Sequence, residues 1–131
     1  MMNIRIIGSG SYIPPHKITN ADFADHLFLD ENGQPFKQPA SVIEKFKAIT
    51  GIEERRYADA DQVASDLAFR AGQLAIENAG IAAETLDYII VAHNYGDVPS
   101  GKIQSDTVPS LASRVKKKLG ISNPKCVAYD L

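Results

Sequence analysis

Hydrophobic and polar positions along this chain follow two periods that take turns. Residues 4–7 form a short β-type run closed by Gly8-Ser9-Gly10-Ser11-Tyr12, with Pro14-Pro15 forcing an extended exit, so the spacing predicts a first strand that feeds a loop. Asn20 is placed to cap a short helix around residues 21–27, with Phe23 and Leu27 on one face. Residues 28–40 carry Asn32-Gly33, Pro35 and Pro39 and read as an irregular insertion or a small hairpin. Ser41-Val42-Ile43-Glu44 has the form of a capping box opening a helix to about Ala48, and Gly51 lies just past its end.

The helical period is clearest in the middle of the chain. Val63, Ala64, Leu67, Ala68, Ala71, Leu74, Ala75 and Asn78 trace one face of a long helix, with Asp61 or Ser65 as its cap and Gly80 as its stop. The face is rich in alanine, which suits close approach by another backbone. A single turn at residues 83–86 precedes Tyr88-Ile89-Ile90-Val91-Ala92, a nearly continuous apolar run that predicts a strand buried on both faces of a parallel sheet. A polar loop follows from His93 to Asp106, then a helix from Thr107 or Ser110 with Leu111, Val115 and Leu119 in line and Gly120 as its stop. Residues 125–131 form a last apolar strand after Asn123-Pro124. Strand, helices, strand, helix, strand makes an α/β fold with a three-stranded parallel sheet the simplest topology.

Composition narrows the function classes. At 131 residues the chain is about one domain, and a net charge of −2 gives no general electrostatic attraction to nucleic acid or an anionic membrane. A single cysteine rules out an internal disulfide and a cysteine-based zinc site, which suits a reducing compartment and makes a cytoplasmic location the default. No stretch has the length and apolarity of a signal-peptide core or a membrane span, so a soluble protein is expected.

Candidate chemistry is sparse when read residue by residue. Gly8-Ser9-Gly10 after a strand invites a dinucleotide reading, but no third glycine follows at the required spacing and Pro14-Pro15 blocks helix entry. A glycine turn beneath a packed neighbour accounts for the pair better. His93 with Asp97 or Asp106 lacks the second histidine that defines a metal site, so His93 is expected to line a polar loop at a strand's carboxyl end. Lys116-Lys117-Lys118 complements a helix C-terminus and reads as a solvated face. Cys126 falls in an apolar strand, where thiols are usually inert core residues.

Residues 49–57, Ile-Thr-Gly-Ile-Glu-Glu-Arg-Arg-Tyr, join a helix stop to a dense charge cluster that composition does not explain. With Gly8-Ser9-Gly10-Ser11-Tyr12-Ile13-Pro14 they closely resemble the start of the ketoacyl-acyl-carrier-protein synthase III family. Thr19-Asn20-Ala21-Asp22, Ala64-Ser65-Asp66-Leu67-Ala68, Asn78-Ala79-Gly80-Ile81, residues 87–92, Pro109-Ser110-Leu111-Ala112, Leu119-Gly120 and Ala128-Tyr129-Asp130-Leu131 follow in the family's order, so the resemblance covers essentially the whole chain.

That resemblance implies a thiolase-like fold, of which residues 1–131 would be a partial N-terminal domain: the opening βαβαβ portion of the first half, with a mainly parallel sheet. Family members load an acyl group onto a cysteine, then join it to the carbanion released when malonyl-acyl-carrier protein is decarboxylated. The resemblance places that cysteine on the helix after the strand resembling Ala128-Tyr129-Asp130-Leu131, and the family's histidine and asparagine in the second half. No catalytic residue is therefore expected within this chain, which should be inactive alone. The implied partners are acyl-carrier protein and acyl thioesters, with a homodimer as the assembly; no nucleic acid, membrane, metal or cofactor is implied.

Two departures bear on the substrate. Lys45 and Ile49 stand where members carry the tryptophan and arginine that clamp the adenine of coenzyme A, and neither offers a π face or a planar guanidinium. Val108 stands where members place a bulkier residue that reaches the partner's acyl pocket, so Val108 is the expected substrate-binding residue, with room for a longer or branched acyl group. An acyl-coenzyme A condensing or hydroxymethylglutaryl-type synthase of the same fold, and a non-catalytic self-associating domain, are the alternatives.

Overall fold

The computed structural model describes residues 3–36 and 39–131. Contacts divide the chain into two compact units, Pro14–Ala58 and the residues on either side of it up to Ile13 and from Asp59 to Leu131.

Within residues 14–58, β1 (His16–Thr19) pairs antiparallel with β2 (Glu54–Tyr57), His16 opposite Tyr57 and Thr19 opposite Glu54. Neither strand shows apolar alternation, and charge contributes instead: Lys17 and Arg56 both reach Glu54. Thr19, rather than Asn20, caps the turn that follows, because its amide and hydroxyl both donate to Asp22 at 2.6 and 2.7 Å. That turn is a short 3-10 segment, Asn20–Phe23, and it stops before Leu27, which is left 67% exposed.

Asn20 ties the ends of the unit together. Its amide nitrogen donates to the Ile52 carbonyl at 2.8 Å, and its oxygen accepts from Arg55 at 2.7 Å. The Arg55 guanidinium lies 5.6 Å from the Phe23 ring centre and 5.1 Å from that of Phe46, and Phe28 meets Phe46 edge-on. Part of the charge cluster at residues 53–56 is thus a lid over an aromatic cluster. Residues 28–36 turn back on themselves, with Leu29 bridged to Pro35 and Asp30 accepting from the amides of Asn32 and Gln34. The remainder of the predicted insertion includes residues 37 and 38, which lie outside the described residues. α1 runs Pro39–Thr50, so the Ser41–Glu44 box lies inside the helix; proline is well suited to a first turn, where its missing N–H leaves nothing unpaired. Gly51, at φ +69°, ends it as expected.

The second unit carries the parallel crossover. α2 (Ala64–Ala79) begins without a cap from Asp61 or Ser65: Asp66 reaches back to the Val63 amide at 3.0 Å, and Gly80 closes the helix in the left-handed conformation. A 3-10 turn, Ala83–Thr85, leads to β3 (Tyr88–Val91), then α3 (Leu111–Lys118) and β4 (Val127–Asp130). β4 lies parallel to β3, with Tyr88 opposite Val127 and Val91 opposite Asp130. Leu111, Ala112, Val115, Ile121 and Cys126 are buried, so the core lies where α3 packs on this sheet and Cys126 is a core residue, as expected.

Other expectations are corrected. Residues 4–7 form no strand, and Ile4 and Ile6 are each 91% exposed, because β-propensity without a ladder partner does not make a strand. The predicted three-stranded sheet is accordingly a parallel pair. β3 is covered on one face only: Tyr88 and Ile90 remain exposed, and so do Val127 and Tyr129 beside them on β4. The lysine run is not simply a solvated face. Lys116 donates to the carbonyls of Asn123 and Cys126 at 2.8 and 2.6 Å, and Lys118 pairs with Asp66 at 2.6 Å.

Gly8 and Gly10 do lie under a packed neighbour. A Cβ on Gly8 would fall 2.6 Å from the Ala79 Cβ, and one on Gly10 would fall 2.4 Å from the Ala75 nitrogen, so the alanine stripe of α2 receives this loop backbone to backbone. Ser9 fastens it, its amide donating to Asn78 at 3.1 Å.

Candidate functional site

The carboxyl ends of β3 and β4 meet the N-terminus of α3, and Asp130 is the joint. A helix start leaves amides without intrahelical partners. Here Asp130 accepts from the amides of Leu111 and Ala112, each at 2.7 Å, while Ser110 accepts from Ser113 at 3.2 Å and covers the next turn. The side chain that closes β4 therefore caps the helix leading into it. His93, two residues past Val91 at the end of β3, lies with its Nε2 3.0 Å from Asp130. An ionised carboxylate only accepts, so Nε2 carries the proton.

Burial works against charge on Asp130, but the Ala112 amide, the His93 ring and the Leu111 amide outweigh it and hold the carboxyl below its ordinary range. The His93 Nδ1 is buried and makes no hydrogen bond among the described residues. His93 and Asp130 thus resemble two members of a nucleophilic triad, and among the described residues no hydroxyl or thiol partners Nδ1 as the third. The pairings of His93 with Asp97 or Asp106 do not form.

Those two aspartates belong to a second cluster that sequence reasoning missed. Asp97, 4% exposed, accepts from the Ser65 amide at 2.8 Å and from its hydroxyl at 2.7 Å, which anchors the start of α2. Asp97 and Asp106 exchange backbone hydrogen bonds of 3.2 and 2.8 Å and close the loop between them. Arg114 of α3 then spans the stem: it reaches Asp97 at 3.3 Å and Asp106 at 2.9 Å, and donates to the carbonyls of Val108 and Pro109 at 3.0 and 2.9 Å. The hydrogen bond from Arg114 holds the Asp106 carboxyl below its usual range against a smaller opposing effect of burial.

Val108, the residue expected to bind substrate, sits at this stem and is 81% exposed. Its carbonyl is fixed and its side chain is free to meet another surface. A groove of about 550 Å³ beside it is lined by Ser65, Asp97, Pro109, Arg114 and Lys117, among others. Two of the basic groups on its lining are paired, Arg114 with Asp97 and Lys118 with Asp66.

No family model matches the chain. Among curated proteins, β-ketoacyl-[acyl-carrier-protein] synthase III 1 of Vibrio vulnificus is 39% identical over 130 residues, which is 99% of this chain and 34% of that relative. The chain is thus similar over nearly its whole length to a ketoacyl-acyl-carrier-protein synthase III. It spans about a third of the length of that curated relative.

Solved structures agree on the architecture. The synthase III of Thermus thermophilus matches 96% of this chain and 32% of its own at a TM-score of 0.67 and 32% identity. OleA of Xanthomonas campestris, crystallised with cerulenin bound, matches 96% of this chain and 34% of its own at 0.70 and 26%. The fold is therefore α/β and thiolase-like, as the synthase III resemblance implied. Among the described residues no helix is long and apolar enough to cross a membrane.

Proposed function

We propose that this chain is the N-terminal portion of a 3-oxoacyl-acyl-carrier-protein synthase III, an acyltransferase of fatty acid biosynthesis that joins an acyl primer to malonyl-acyl-carrier protein by decarboxylative Claisen condensation. The observation that carries this reading is 39% identity across 99% of the chain to a synthase III. Residues 1–131 then form one part of a thiolase-like domain, and the exposed apolar face of Tyr88, Ile90, Val127 and Tyr129 is where the rest of that domain packs.

In this reading the two ends of the parallel pair present the chemistry without performing it. β4 delivers the chain to a helix whose N-terminus carries the nucleophilic cysteine, where the macrodipole lowers the thiol's pKa and free amides steady the developing oxyanion. Asp130, locked to α3, fixes the direction in which the strand leaves. Cys126 is 2% exposed and faces the core, so it takes no part. The portion alone is inactive, and the parent works as a homodimer in the cytoplasm with acyl-carrier protein and acyl thioesters as partners and no metal or cofactor.

Val108 borders the acyl pocket across the dimer. Its small side chain leaves volume that an acetyl group does not fill, and each added methylene in such a pocket changes kcat/KM by about tenfold or more. The full-length enzyme is accordingly expected to use branched or longer acyl-coenzyme A primers about tenfold better than acetyl-coenzyme A in a steady-state comparison. A strong preference for acetyl would remove Val108 from the pocket.

A further inference from the structure

Val108 is held by its backbone, and one side chain does the holding. Arg114 is mostly buried, at 19% exposure, and uses its guanidinium as a fork: Nε donates to the Pro109 carbonyl, Nη2 to the Val108 carbonyl and to Asp106, and Nη1 to Asp97. These acceptors lie on both limbs of the loop that leaves β3 and enters α3. The limbs approach so closely that a Cβ on Gly96 would fall 2.4 Å from the Asp106 carbonyl oxygen. Beyond the stem the loop is open, with Ile103 fully exposed, so the tip gives Val108 no support of its own. On the inner side Asp97 is fixed in turn by Ser65 at the start of α2. The Arg114 guanidinium thus ties the Val108 backbone to α3 and, through Asp97, to the start of α2.

We infer that Arg114 is the positioning residue for Val108 and, through it, for acyl-chain selectivity. The inference rests on the reading of Val108 as an acyl-pocket residue given above. Arginine is required because four acceptors spread over a planar fork match its five N–H groups, whereas a lysine ammonium keeps the charge but cannot span them.

The test compares Arg114→Lys, Arg114→Gln and Val108→Phe in the full-length enzyme, reading the ratio of kcat/KM for a branched primer to that for acetyl-coenzyme A. Arg114→Lys preserves the charge beside Asp97 and Asp106, so it keeps the variant folded if Arg114→Gln does not fold. Arg114→Lys is expected to shift the ratio by about tenfold, since small misplacement of a contact group has effects of that order or larger. In a Val108→Phe background the same change should add little, because both act through one contact. If Val108→Phe shifts the ratio and Arg114→Lys does not, the positioning role is overturned while the reading of Val108 stands. If neither shifts it, both fall. Equal, additive shifts from the two changes also overturn the inference, because they would act separately.

Discussion

Replacing Asp130 with alanine is expected to lower the stability of the chain by about 3 kcal/mol in chemical denaturation, more than the removal of any ordinary helix cap. A cap residue is worth about 1 kcal/mol, and Ser110 supplies that already. Asp130 differs because the amides it receives belong to Leu111 and Ala112, which are 1% and 0% exposed, so water cannot take over when the carboxylate is gone. Losing a charged acceptor from buried donors costs about 1–3 kcal/mol for each group left unpaired. His93 would lose its partner as well.

The pH dependence follows from the same contacts. Asp130 has a lowered pKa in the folded chain, so its contribution is fully present above the unfolded value of about 3.9 and is lost as the pH falls through the folded value. The alanine variant should lack that part of the acid limb. Asparagine keeps an oxygen for one amide but no charge, and should fall between. An alanine variant within about 0.5 kcal/mol of the wild type, the range of ordinary surface changes, would show that Asp130 does not hold α3.

Gly10→Ala is expected to cost about 2–3 kcal/mol or to dislodge the loop at residues 8–12. The added methyl would lie 2.4 Å from the Ala75 nitrogen and 2.6 Å from the Ala71 carbonyl oxygen, both backbone atoms inside α2 that cannot turn aside. Gly72 supplies the control. It lies in the same helix with open space where its Cβ would be, so Gly72→Ala should raise stability by about 0.5–1 kcal/mol through helix propensity alone. Opposite signs for the two substitutions, measured by thermal or urea unfolding, would establish that Gly10 is present for close approach. A neutral Gly10→Ala would mean that the loop does not rest on the helix.

Legibility in the sequence tracked how local each determinant was. α2, α3, β3 and β4 could be read because periodicity and the stop glycines at 80 and 120 act within a few residues. The β1 and β2 pair could not, since His16–Thr19 and Glu54–Tyr57 are polar strands that exist only through each other. Ile4 to Ile7 shows the converse: strong β-propensity, no partner and no strand.

The site was less legible than the fold. Residues 18 and 19 positions apart in sequence make the Asp130 cap, and Asp97 anchors α2 from 32 positions away, distances at which no local motif operates. His93 was placed at a strand's carboxyl end, but its link to Asp130 needed the parallel register that sets Val91 beside that residue. Lys116 looked like solvent-facing charge because the carbonyls it covers belong to the turn into β4. One hint was available. Arg114 lies four residues beyond a Ser110 cap, which places a long cation back over the loop that enters its helix.

The central claim is that the reactive cysteine lies beyond Leu131 and that Cys126 is part of the core. Acyl-cysteine mapping tests this most directly: the full-length enzyme is incubated with an acyl-coenzyme A, quenched in acid, digested and analysed by peptide mass spectrometry. The acyl group is expected on a cysteine in the segment following Leu131, with the peptide containing Cys126 unmodified. An acyl group on Cys126, or none on any cysteine, would contradict the account.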